Sequence, residues 1–160
     1  MITRALVFTL GPYRLLVEAV RVFEVLERGV ASRVRGGGHM SWRGRLVPEI
    51  GLGTLLGHAE AGGEGAVDIV YGDPESDAVV MFRADRVLGL RSLDPGQVHR
   101  VPALAPELLR LFPVIVLDPA DGRGILWLEA RPELLLGLWR THCTAEPEPE
   151  PEQSGPRRAS

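Results

Sequence analysis

SWRGRLVPEIGLGTLLG, residues 41–57, runs from a turn signal at Arg43-Gly44 through a short apolar stretch, Arg45–Ile50, into a cluster of glycines. Two folds compete for it. A strand, then Gly51-Leu52-Gly53, then a helix is how a dinucleotide-binding βαβ unit begins, and that would make the chain α/β. The fingerprint needs its third glycine at position 56, which is Leu. Any helix here also ends by about Ala61, too soon to carry the chain across to a parallel strand. The glycines are therefore turn residues, Arg45–Ile50 is a strand, and Thr54–His58 forms about one turn of helix.

The same pattern of short apolar runs and turn signals continues on both sides. Ala5–Leu10 (ALVFTL) stops at Gly11-Pro12 and Tyr13–Glu18 (YRLLVE) resumes at once, which predicts a hairpin. Ala66–Tyr71 ends at Gly72-Asp73-Pro74, and Ala78–Ala84 follows. Pro113–Asp118 and Gly124–Glu129 flank Pro119-Ala120-Asp121-Gly122, another hairpin signal. So many runs at this spacing predict an all-β barrel or sandwich with a few short helices. Pro106 and Pro132 stand where a first helical residue belongs, ahead of ELLRLF and ELLLGLW. Residues 15–27 read two ways. Leu16, Ala19, Val20, Phe23 and Leu26 recur at helical spacing, but the preceding Gly-Pro turn favours a strand to about Val17, a short helix, then a strand. Two β-rich halves meet near Gly62-Gly63-Glu64-Gly65.

The length of 160 residues allows one domain, and a net charge of −3 offers no basic footprint for nucleic acid. Residues 145–160, AEPEPEPEQSGPRRAS, combine like charges with prolines and carry nothing large and apolar to bury, so a disordered, extended tail is expected there. No apolar segment approaches the length of a membrane span, and ALVFTL is too short for a secretory signal. A cytoplasmic protein is expected, reaching a membrane only through a partner.

Several chemistries are excluded or unsupported. The sequence has no Lys, which removes a P-loop lysine, a Schiff base and a lysine general base. Gly36-Gly37-Gly38 lacks the Lys-Ser/Thr of a phosphate loop and reads as a flexible connection. Cys143 is the single cysteine, so no internal disulfide forms. His39, His58, His99 and His142 are scattered, and only His142-Cys143 are adjacent, a poor metal site at the edge of a tail. No serine sits in a Gly-x-Ser-x-Gly elbow. No catalytic residue, cofactor or metal is expected. One constellation stands out: Glu24 in VRVFEVLE and Arg43 in SWRGRLVP are each a lone charge set among apolar residues, and each gains from a partner. Spacing alone leaves open whether they meet, and two surface charges that never touch are the plainer reading.

The order of segments from about Ala5 to Leu138 resembles the CheW family. LVFTLG followed by YRLLVEAVRVFEVL resembles its first hairpin and Val-x-Glu-Val segment. SWRGRLVPEIGLGTLLG resembles its Arg-Gly, then a proline four residues later, then an apolar Leu-x-x-Leu-Leu-Gly. FRADRVLGLRSLDPGQVHRVP resembles the Val-Asp-x-Val-x-Gly stretch, and GILWLEARPELL the closing strand and helix. The resemblance implies a CheW-like domain over 1–144, built as two packed, interleaved five-stranded SH3-like barrel lobes with a boundary near 58–66 and no cofactor. It implies an adaptor: one surface docks the regulatory domain of a CheA-type histidine kinase, another grips the cytoplasmic tip of a chemoreceptor. The motif-matched positions are Val22, Glu24, Arg43 and Gly44, with Glu24 and Arg43 near one another on the receptor groove. Asp85 and Val87 match the second-lobe motif, in a binding or a structural role.

Departures from the pattern are specific. The connection over 30–42 is shortened, Ser41 stands for the usual Asn, Gly51 for the usual Asp, and Phe112-Pro113 for a Gly-Val pair. They leave room for a divergent member that has lost kinase or receptor binding and works as a partial adaptor or competitor. A small-ligand enzyme on an unrelated barrel is the other alternative, and a polar cluster around a deep pocket would favour it.

Overall fold

The computed structural model of the protein describes residues 3–27, 32–33, 38–101 and 106–144. In chain order the strands are β1 (Thr3–Leu10), β2 (Tyr13–Glu18), β3 (Val22–Glu27), β4 (Ser32–Arg33), β5 (His39–Trp42), β6 (Arg45–Ile50), β7 (Val67–Gly72), β8 (Val79–Ala84), β9 (Arg86–Leu93), β10 (Val98–Arg100), β11 (Val114–Leu117) and β12 (Gly124–Trp127). The helices are α1 (Leu52–Leu55), α2 (Pro106–Leu111) and α3 (Pro132–Thr144). The ambiguous stretch resolves as a strand to Glu18, a 3-10 turn over Ala19–Arg21, and a strand from Val22. Residues 145–160, Gly36-Gly37 and much of the 30–42 connection lie outside the described residues.

The strands form two six-stranded sheets, β10-β11-β12-β2-β1-β9 and β3-β7-β8-β6-β5-β4. The all-β class with two β lobes is as expected. Each sheet has six strands where five were anticipated, because short edge strands, two-residue β4 and three-residue β10, pair onto the rims. Residues 58–66 lie between α1 and β7, within the run that builds the second sheet, whereas the chain changes sheets at 18–22 and again at 84–86. The Gly-rich stretch 62–65 is a turn segment between α1 and β7.

The continuous apolar runs follow from what each strand face meets. Leu6, Phe8 and Leu10 of β1 enter a central cluster, while Ala5 and Val7 enter a cluster confined to the first sheet. On β8, Val80, Phe82 and Ala84 join the central cluster, while Val79 and Met81 join one confined to the second sheet. Successive side chains alternate between faces, so a strand buried on both must be apolar throughout. Three cores result, and the central one joins the sheets. Tyr71 spans it: its hydroxyl donates to the Ala130 carbonyl at 2.7 Å, and burial pushes its pKa up to about 12.

Loop tips are tied down by carboxylates. Asp118, 4% exposed, accepts from Ala120 N–H at 3.0 Å, Arg91 Nη1 at 2.6 Å and Arg14 Nη2 at 2.5 Å, linking the β11–β12 turn to β9 and β2. The Ala120 N–H first, then the Arg91 and Arg14 guanidiniums, lower its carboxyl from 3.8 to about 2. A carboxyl lowered on folding stabilises fully above its unfolded value, and that contribution is lost as pH falls through the folded one. Asp118→Asn is therefore expected to flatten the fall of the thermal midpoint between pH about 4 and about 2. A variant with the same acid limb as the parent would remove this network from the account of acid stability.

Candidate functional site

The β5–β6 hairpin closes through Arg43-Gly44, with Trp42 and Arg45 as the last opposed pair. Arg43 has φ +49° and Gly44 φ +73°. Positive φ at both central residues is the type I′ arrangement, whose twist matches that of the flanking strands. Glycine adopts it freely. Arginine does so against a penalty of about 1–2 kcal/mol, and Arg43 is the sole non-glycine with positive φ among the described residues. Strain held at an exposed turn directs attention to the side chain it displays.

That side chain reaches β3. Arg43 Nη2 and Nε lie 3.1 and 3.2 Å from Glu24 Oε2, and Trp42 Nε1 donates to the same oxygen at 2.7 Å. The guanidinium carbon sits 5.2 Å from the centroid of the Trp42 ring, within cation–π range. The Phe23 ring stacks against Trp42 at 6.5 Å and covers Gly72, where a Cβ would overlap it. A register shift between Val22 and Glu24, a β-bulge against β7, re-aims this part of β3. Arg43 is 71% exposed and Glu24 31%, so the pair is open to solvent. Phe23, Val25 and Leu46 are exposed apolar side chains on the same two elements.

β3 and β5 are separated in the sheet order by β7, β8 and β6. Contact between Glu24 and Trp42 therefore requires the sheet to curl until its far strands meet. Leu26, on the same face as Glu24, packs with Met40, Val47, Val70, Val79 and Met81, and Trp42 lies against that cluster. The cluster is apolar, the largely buried Asp68–Arg83 ion pair (3.0 Å) lies on the same face opposite Leu26, and the exposed Glu24–Arg43 pair stands at the rim.

The sequence-predicted positions divide. Glu24 and Arg43 are brought together, with Gly44 completing the turn, and Val22 lies beside them but packs into the central core. Asp85 and Val87 belong elsewhere: Asp85 Oδ2 accepts the Gly11 N–H at 2.7 Å, and Val87 pairs with Phe8 and packs on the central core. Gly11, at φ +55° before Pro12, opens a two-residue turn of type II′, and Asp85 satisfies its N–H. Trp42 and Phe23 are site residues that sequence reasoning does not mark. The available signal was an aromatic residue immediately before the Arg-Gly turn, but Phe23 reads as one more apolar residue in an apolar strand.

Gly51 packs under α3. A Cβ there would overlap the Trp139 ring and crowd Glu60 Oε1, which is held by the Thr54 N–H at 2.7 Å and hydroxyl at 2.8 Å. Among the described residues no group of three or more His, Cys, Asp or Glu side chains is placed to hold a metal, and no helix is long and apolar enough to cross a membrane.

Strain at Arg43 sets a first expectation. Arg43→Asn, which suits the left-handed region, is expected to leave stability unchanged or raise it by up to about 1 kcal/mol, since the exposed ion pair contributes about 0–1 kcal/mol. Urea unfolding measures this. A loss above about 1 kcal/mol would mean that the ion pair outweighs the strain.

No protein-family model matches the chain, and no curated protein matches it in sequence. Among solved structures it is similar to the scaffolding protein CheW of Thermoanaerobacter tengcongensis, with a TM-score of 0.68 at 17% sequence identity over 82% of this chain and 91% of that one. At that identity the likeness is one of fold, and the chain has a CheW-like fold.

Proposed function

We propose that this chain is a non-catalytic adaptor in chemotaxis-type signalling, coupling the cytoplasmic tip of a chemoreceptor to the regulatory domain of a CheA-type histidine kinase. The Trp42–Glu24–Arg43 cluster carries the reading. A solvent-accessible charge pair held against Trp42, with the exposed Phe23 ring stacked on that indole, has the make-up of an interface, with apolar area for affinity and charges for register. In this account Val22, Glu24, Arg43 and Gly44 belong to the receptor side. Asp85 and Val87 support the first sheet, and their effect on binding is indirect. The adaptor works in the cytoplasm and meets the inner membrane through receptors. Control of the kinase arises from which kinase conformation the bridged complex favours.

Alanine at Glu24 or Arg43 is expected to weaken receptor-tip pull-down about tenfold or more, with little change in thermal midpoint. Unaltered binding in both variants would sink the site assignment.

A second reading is favoured by one observation. Trp139 occupies the space over Gly51, where the resemblance places an Asp, so the surface beside α1 differs from that of a full coupler. The chain would then bind one partner and act as a partial adaptor or competitor. Gel filtration with the kinase regulatory domain separates the two. A full coupler co-elutes with it, and a partial adaptor that keeps only the receptor does not.

A further inference from the structure

Trp42 stands between the two charged side chains and touches both. Its indole N–H is 2.7 Å from Glu24 Oε2, closer than either Arg43 nitrogen at 3.1 and 3.2 Å. The Arg43 guanidinium lies over the Trp42 ring at 5.2 Å, and Phe23 stacks on it at 6.5 Å.

The Glu24–Arg43 pair alone would be loose. Arg43 is 71% exposed, and holding two long side chains in one geometry in water costs about what the ion pair returns. The indole has two side-chain torsions, both restrained because the ring packs on the apolar cluster of Leu26, Met40 and Val47. A charge-assisted hydrogen bond from such a donor fixes the carboxylate at little further entropic cost.

Resting on the coupling reading, we propose that Trp42 is the positioning residue of the docking cluster. It pins Glu24 before a partner arrives and gives the Arg43 guanidinium a ring to lie on. A partner then meets a preformed carboxylate–guanidinium pair, and the ordering cost of binding falls. The surface that recognises such a pair offers a basic and an acidic side chain next to one another on an apolar ground. A partner carrying a single charge at that place leaves one member of the pair unmatched, so the clamp also sets specificity.

The test uses the full-length protein and Trp42→Phe, which keeps a ring for Phe23 and Arg43 but removes the N–H donor. The chain has three tryptophans, and the indole N–H resonance missing from Trp42→Phe identifies residue 42. That resonance is expected to move in Glu24→Gln. Trp42→Phe is expected to bind a receptor-tip peptide hairpin about tenfold more weakly, with its thermal midpoint nearly unchanged. Adding Glu24→Ala to it should produce little further loss, because the two residues act as one unit. Parent-like affinity in Trp42→Phe, fully additive losses, or an indole resonance blind to Glu24→Gln would each overturn the proposal. A parent protein that does not bind the receptor tip overturns the coupling reading instead, and the indole resonance then still decides whether Trp42 holds Glu24.

Discussion

Phe82→Ala is expected to destabilise the protein by about 3–5 kcal/mol, a large share of the roughly 5–15 kcal/mol typical of a domain. Phe82 is fully buried, its ring centroid 5.6 Å from that of Phe8 on the other sheet and 5.8 Å from that of Tyr71 on the neighbouring strand. Removing it opens a cavity between the sheets, where neither can collapse without dragging the other. Both lobes should therefore lose stability together. Trp127 on β12 reports the first sheet and Trp42 on β5 the second, so single-tryptophan variants followed in urea should show coincident midpoints, both shifted. Met81→Ala, one residue away, faces the cluster confined to the second sheet. It serves as the control, with an expected cost of about 2–5 kcal/mol. Two separated transitions in Phe82→Ala, with Trp127 unmoved, would show that the lobes unfold independently.

Gly51→Ala is the second large effect expected. The backbone at Gly51, φ −77° and ψ 75°, is open to any L residue, so the cost is steric alone. The added methyl meets the Trp139 ring on one side and the Glu60 carboxylate on the other. Overpacking of this kind costs about 1–3 kcal/mol, and relief requires α3 to lift its Trp139 edge from the sheet. A lowered thermal midpoint with a red shift in Trp139 emission is the expected signature. The double variant Gly51→Ala/Trp139→Ala settles the cause. If the clash is the mechanism, the alanine at 51 should add almost nothing once the ring is gone. Equal destabilisation with and without Trp139 would place the cost in the backbone or at Glu60.

How much of this was legible in the sequence varied with how local the deciding physics was. The β1–β2 hairpin was plain, because Gly11-Pro12 is a turn by its own stereochemistry and the runs beside it are unbroken. β9, Arg86–Leu93, shows no clear strand pattern in the sequence. It is an edge with Leu88 and Leu90 exposed and Gly89 at φ +127°, so it lacks the apolar continuity that marked its buried neighbours. β5, His39–Trp42, is not legible in the sequence because its four residues make too short a run to show a period. α3 runs to Thr144, beyond the short helix expected. Its last turn, residues 140–144, is exposed and has no apolar face to mark it in the sequence, and the Thr141 and Thr144 hydroxyls donate to the Gly137 and Arg140 carbonyls of the preceding turn.

For the site, the residue types were visible but their meeting was not. Glu24 and Arg43 stood out because a charge among apolar residues needs a partner, and the sequence by itself determined that much, along with the turns, the strands buried on both faces and the absence of lysine chemistry. These follow from rules that act over a few residues: proline and glycine stereochemistry, and the alternation of side chains along a strand. Only the tertiary structure decided that the chain changes sheets at 18–22 and 84–86, that Asp85 is spent on the Gly11 N–H, and that Trp42 clamps Glu24. Each depends on which strands pair and how far a sheet curls. β3 and β5 touch because three intervening strands bend around one apolar cluster, and that closure is a property of the whole sheet, which no short stretch of its sequence contains.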